Sequence, residues 1–88
     1  MKKYDIVAIL WEDHIAFDRE PLKKNPESTI IPTLSIGIVI QETEKVVVLA
    51  NQWERYTNAD DFKFLVLLKP AIIERKTYGT IKLRKPRF

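Results

Sequence analysis

Residues 34–41, LSIGIVIQ, and residues 46–53, VVVLANQW, flank the four polar residues Glu42-Thr43-Glu44-Lys45. Two runs rich in β-branched residues around a short polar break are the signature of a β-hairpin. With a four-residue loop over 42–45, Ile40 stands opposite Val47 and Ile38 opposite Leu49. Side chains alternate along a strand. This register therefore puts Ile36, Ile38, Ile40, Val47 and Leu49 on one face, the expected core. Gly37, Val39, Val48 and Ala50 fall on the other face. A glycine inside a strand predicts a bend or a close backbone approach at Gly37. A small sheet needs such a bend to curl on itself.

On the N-terminal side, residues 4–12 read YDIVAILWE. Tyr4, Ile6, Ala8 and Leu10 share one face, and Val7, Ile9 and Trp11 the other. Both faces are largely apolar, so the strand is expected to be covered on two sides or to meet a partner with one. Residues 13–33 contain Pro21, Pro26 and Pro32 among charges, which predicts a long loop. On the C-terminal side, 54–61 is a polar loop. Residues 62–69, FKFLVLLK, then alternate, with Phe62, Phe64, Val66 and Leu68 on one side, and Pro70 ends the strand. Ala71-Ile72-Ile73 suits a tight turn, 73–78 a short fifth strand, and Gly79 a break. Residues 81–84 read as a last edge segment whose Lys and Arg discourage stray pairing, and 86–88 as a loose end. The expected fold is all-β: a small, strongly bent five-stranded antiparallel barrel with a long loop after the first strand, forming one domain over 1–88. Residues 79–88 form a basic C-terminal segment, an edge strand or a loose tail.

This order resembles the Src-homology-3-like and Sm-like barrels. Gly37-Ile38-Val39-Ile40-Gln41-Glu42, with Val46-Val47-Val48-Leu49 and Glu54, is similar to the first Sm motif, and Leu68-Lys69-Pro70-Ala71-Ile72-Ile73 to the second. Where the Sm pattern carries its RNA-contacting Asp and Asn, this chain has Thr43 and Val47, and the Arg-Gly turn is Lys69-Pro70. The resemblance therefore implies the fold and not the Sm nucleotide site. The chain also resembles short uncharacterised phage and prophage proteins through Trp11, Asp13, Gly37, Glu42, Thr43, Val47, Val48, Leu49, Ala50 and Pro70. That likeness implies a mobile-element protein and no particular activity.

Composition fits a globular domain: 88 residues, 45% hydrophobic and 31% charged. There is no Cys, one His and only two Gly, a poor supply of catalytic groups. The start Met1-Lys2-Lys3 imitates a signal peptide, but the apolar run 6–11 is shorter than a secretory core or a membrane span. A cytoplasmic protein without membrane contact is expected. The net charge of +3 is unevenly spread. Residues 1–74 hold nine Lys and Arg against twelve Asp and Glu, whereas 75–88 hold six basic residues and no acid.

Asp13-His14 is the sole imidazole–carboxylate neighbourhood, and nothing marks Ser28 or Ser35 as an activated nucleophile. This pair is expected to be a polar strand end, so no catalytic residues are assigned. No Cys, no His pair and no Gly-rich phosphate loop occur. Asn58, Asp60 and Asp61 lack the spacing of a calcium loop. No metal and no cofactor are expected. The favoured function is therefore non-catalytic protein contact, in a homo-oligomer or with another protein, with Trp11, Trp53 and Tyr56 as contact residues. Stacking of nucleobases on Trp53, Tyr56 and Phe62 is disfavoured by Glu54, Asp60 and Asp61 beside them. The alternative is RNA or DNA binding, with Lys69, Arg75, Lys76, Lys82, Arg84, Lys85 and Arg87 meeting phosphates.

Overall fold

A computed structural model describes residues 1–14 and 30–87. Stretch 15–29, which holds most of the expected loop and Ser28, lies outside the described residues, as do Phe88 and the side chains of His14 and Ile30. The described residues form five strands: β1 (Lys2–His14), β2 (Ile30–Glu42), β3 (Val46–Arg55), β4 (Asp60–Leu68) and β5 (Ile72–Leu83). A single 3₁₀ turn, Lys69–Ala71, joins β4 to β5, with Pro70 fitting its first turn. All pairings are antiparallel, and the order across the sheet is β4-β3-β2-β1-β5. The fold is thus all-β with five antiparallel strands, as expected. The sheet is bent but not closed, because β4 and β5 both end it as edges.

Three local expectations are corrected. Strand pairing reaches into the expected 13–33 loop at both ends, where Asp13 pairs with Ile31 and His14 with Ile30. Even Pro32 takes part, opposite Glu12. Gly79 does not end a strand; β5 runs through it, opposite Ile6. The hairpin loop is one residue shorter than the sequence suggested. Thr43 N–H donates to the Val46 carbonyl at 2.9 Å, and Thr43 Oγ1 accepts from the N–H of Lys45 and Val46. This turn fixes Glu42 opposite Val47, and Ile40 is then squeezed out as a bulge between the pairs Val39–Leu49 and Gln41–Val48.

A one-residue slip exchanges the faces of a strand. Val39 and Gly37, not Ile36 and Ile38, therefore share a face with Val47 and Leu49. The inner face holds Val7, Ile9, Val47, Leu49 and Leu67, all buried, with Trp11, Val39 and Ile72 packed against them. Gly37 lies where β2 passes close to β3. A Cβ built there would stand 2.3 Å from the Ala50 carbonyl oxygen, so only glycine permits the approach.

The C-terminal segment is held in place at Arg87, in contrast to the loose end expected. After β5 it runs to the start of β4, at the opposite edge of the sheet. Asp60 N–H donates to the Arg87 carbonyl at 3.1 Å, and Arg55 Nη2 donates to the Arg84 carbonyl at 2.9 Å. The opposite end of the fold is fastened by Glu42, which pairs with Lys69 at 2.9 Å and Arg75 at 3.0 Å. The Lys69 ammonium holds its carboxyl below the usual range, against a smaller cost of burial, with Arg75 adding to the effect.

Candidate functional site: an uncovered sheet face

Cross-strand partners share a face, so the register defines the outer one. It carries Ile6, Ala8 and Leu10 from β1, Leu34, Ile36 and Ile38 from β2, Val48 and Ala50 from β3, and Phe64, Val66 and Leu68 from β4. Leu34, Ile36, Phe64, Val66, Leu68 and, on β5, Tyr78 are each more than half exposed. Exposed apolar side chains scattered singly are ordinary, whereas a connected set marks a contact surface. Here they are connected. Ile40, Val48, Phe62, Phe64 and Val66 line one open groove of about 420 Å³, rimmed by Gln41, Asp60 and Asp61. Ala8, Leu10, Leu34 and Tyr78 line a second of about 280 Å³, rimmed by Glu74 and Lys76.

One end of this face is covered. Tyr4 and Ala50 are buried. The Tyr4 ring meets Trp53 edge-on at 5.5 Å, and Trp53 meets Phe62 at 5.1 Å. The Arg55 guanidinium sits 4.1 Å from the centre of the Trp53 ring, a cation–π contact. Beside this cluster is Asp60, whose carboxylate is wholly buried. Arg87 meets it twice, through its main-chain N–H at 2.9 Å and its guanidinium at 3.1 Å, and Arg55 stands 3.7 Å away. Burial pushes the Asp60 carboxyl up. The two Arg87 contacts outweigh this and hold it below the ordinary carboxylate range, helped by the Arg55 charge and by the nearby Trp53 indole, which stays outside hydrogen-bond geometry.

The expected contact residues are not gathered on one surface. Trp11 packs against the inner core and donates its indole N–H to Ser35 Oγ at 3.0 Å. Trp53 is half-buried in the aromatic cluster. Tyr56 is exposed on the turn after β3, its hydroxyl donating to Glu54. The basic set is divided as well. Lys69 and Arg75 face Glu42, and Arg87 faces Asp60 while donating to the Thr57 carbonyl at 2.6 Å and to the Tyr56 carbonyl. Lys76 Nζ lies 5.1 Å from the Tyr78 ring centre. Lys82, Arg84 and Lys85 are exposed along the end of β5 and just beyond it.

Asp60, of the Asn58-Asp60-Asp61 set, is thus committed to arginine. Among the described residues no three His, Asp or Glu side chains converge as metal ligands, and no helix is long and apolar enough to cross a membrane. The residues missed in the sequence are those of the outer face, above all Leu34, Ile36, Phe64 and Val66. Their signal was present: strands 4–12, 34–41 and 62–69 are apolar at even as well as at odd positions. No protein-family profile, no curated protein and no solved structure matches the chain.

Proposed function

We propose that this is a non-catalytic β domain that works by protein contact and associates with copies of itself. The observation that carries this reading is the uncovered apolar face, six of whose large side chains are more than half exposed. A sheet with both faces apolar gains by covering the second one. The short 3₁₀ link between β4 and β5 and the β1–β5 pairing support a Src-homology-3-like reading of the fold. The phage-related origin rests on the sequence resemblance alone, and a cytoplasmic setting suits a chain without cysteine.

Sedimentation velocity at micromolar concentration tests the proposal. A dimer or larger species is expected, and a clean monomer removes self-association. The nucleic-acid alternative is weakened by the pairing of Lys69, Arg75 and Arg87 with acids. Salt-sensitive binding to single-stranded RNA or duplex DNA at about 50 mM salt would restore it.

A further inference from the structure

Arg87 sits in a socket built by the turn that joins β3 to β4. The turn is closed on itself, with the Tyr56 N–H donating to the Ala59 carbonyl at 3.0 Å. The Arg87 guanidinium donates to Asp60 Oδ1 at 3.1 Å, to the Thr57 carbonyl at 2.6 Å and to the Tyr56 carbonyl. The main chain of Arg87 is held as well. Its N–H donates to Asp60 Oδ2 at 2.9 Å, and its carbonyl accepts from the Asp60 N–H at 3.1 Å. Three acceptors around one side chain, one of them a wholly buried carboxylate, suit the planar fork of a guanidinium better than the compact ammonium of lysine. Main-chain bonds beside it are how an extended segment adds to a sheet edge. The socket thus takes an arginine together with the backbone that carries it.

The chain's own segment fills this socket imperfectly. Buried polar groups nearly always find a partner. Among the described residues four buried side-chain atoms have none: Tyr4 Oη, Trp53 Nε1, Arg55 Nε and Arg87 Nε. All four gather here, linked by the Tyr4–Trp53 ring contact, by Arg55 over the Trp53 ring, and by Arg55 and Arg87 on Asp60. Each unpaired group opposes closure of the segment. Beyond Asp60, β4 pairs with β3 alone among the strands, so the edge has room for a longer segment than the one now seated. We propose that the Tyr56–Asp60 turn is a binding site for an arginine-bearing extended segment of a protein partner, occupied in cis by the chain's own residues 84–87. This rests on the protein-contact reading above and names the partner's chemistry and the internal segment that competes with it.

Arg87→Ala in the full chain removes the internal competitor. Isothermal titration calorimetry compares this variant with the unaltered chain, using an end-capped peptide of residues 83–87, LRKPR. A closed segment leaves only a fraction of molecules open to a ligand and weakens binding by that fraction. The variant is therefore expected to bind the peptide at least about tenfold more tightly than the unaltered chain. The peptide carrying Arg87→Lys should bind the variant at least about tenfold more weakly, having lost charged hydrogen bonds, and the one carrying Arg87→Ala should not bind. Should the variant be unfolded alone, the LRKPR peptide is expected to restore its β-type circular-dichroism spectrum, and a failure to do so overturns the site. No binding to a folded variant overturns it too. Equal affinity for variant and unaltered chain would put the peptide elsewhere, and equal affinity of the Arg and Lys peptides would reduce recognition to charge alone; either result overturns the proposal. Sedimentation of the same samples reads self-association separately. An oligomer that takes no peptide overturns the arginine site alone, and a monomer that takes none overturns both readings.

Discussion

Arg87 grips Asp60 with both its main-chain N–H and its guanidinium, at 2.9 and 3.1 Å, and so fixes the C-terminal segment to the start of β4. The carboxylate is wholly buried, and the Arg55 guanidinium lies within 3.7 Å of it. A buried charge is tolerable only when it is paired and hydrogen-bonded, and here Arg87, 27 positions away, meets both conditions. The contact joins the segment beyond β5 to the opposite edge of an otherwise open sheet.

Removing that carboxylate leaves two guanidinium groups without their anion. Asp60→Asn is expected to lower the melting temperature by about 12 °C or more, the scale for a broken buried pair in a domain of this size. It should also speed tryptic cleavage after Arg84. Differential scanning calorimetry with limited proteolysis checks both. An unchanged cleavage rate after Arg84 would show that the segment is held by something other than Asp60.

Acid should weaken the fold through the same group and through Glu42. Both carboxyls titrate below their ordinary values in the folded chain. Their contribution is therefore complete above the unfolded carboxylate pKa of about 4 and is lost as pH falls through the lower folded values. Urea midpoints measured from pH 7 to pH 2 should be level at first and then decline. Asp60→Asn should flatten the acid limb, and Glu42→Gln should do so less, because Glu42 is a third exposed and its pairs are partly screened.

Gly37→Ala places a methyl 2.3 Å from the Ala50 carbonyl oxygen and 3.2 Å from Leu49 Cγ. Backbone must move to admit it, and a loss of about 3 kcal/mol or more is expected in denaturant titrations. Gly79 gives the contrast. A Cβ there meets nothing within 4 Å, and only its φ of +159° disfavours a side chain. Gly79→Ala should cost about 1 kcal/mol.

Ile36 and Leu49 look alike in sequence but occupy opposite environments, 62% and 1% exposed. Leu49→Ala should cost about 2–5 kcal/mol through lost burial and a cavity. Ile36→Ala should change the stability of a dilute monomer by about 0.5 kcal/mol or less. It should instead weaken association if the outer face takes part. Denaturant unfolding at two protein concentrations separates the effects.

The all-β architecture, the central hairpin and the close approach at Gly37 were legible, because each rests on local pattern: alternation, a polar break, a glycine within a strand. The core face was not. Its choice depends on the register, and the register depends on a threonine-capped turn and a bulge at Ile40 that alternation does not encode. With apolar residues on both faces, hydrophobicity alone could not show which side turned inward. The Asp60–Arg87 contact was also hidden, since opposite charges 27 positions apart give no local signal. Trp11 and Trp53 were read as contact residues by residue type; in the structure each is partly buried, Trp11 against the inner core and Trp53 in the ring cluster.

The seating of β1 between β2 and β5 has a kinetic consequence. Tyr4 pairs with Ile81, near the other end of the sequence. Contacts so distant form late and slow the folding of β-rich chains. Until β5 docks, β1 offers an unguarded margin that is greasy on both sides, so refolding from urea should lose yield as concentration rises.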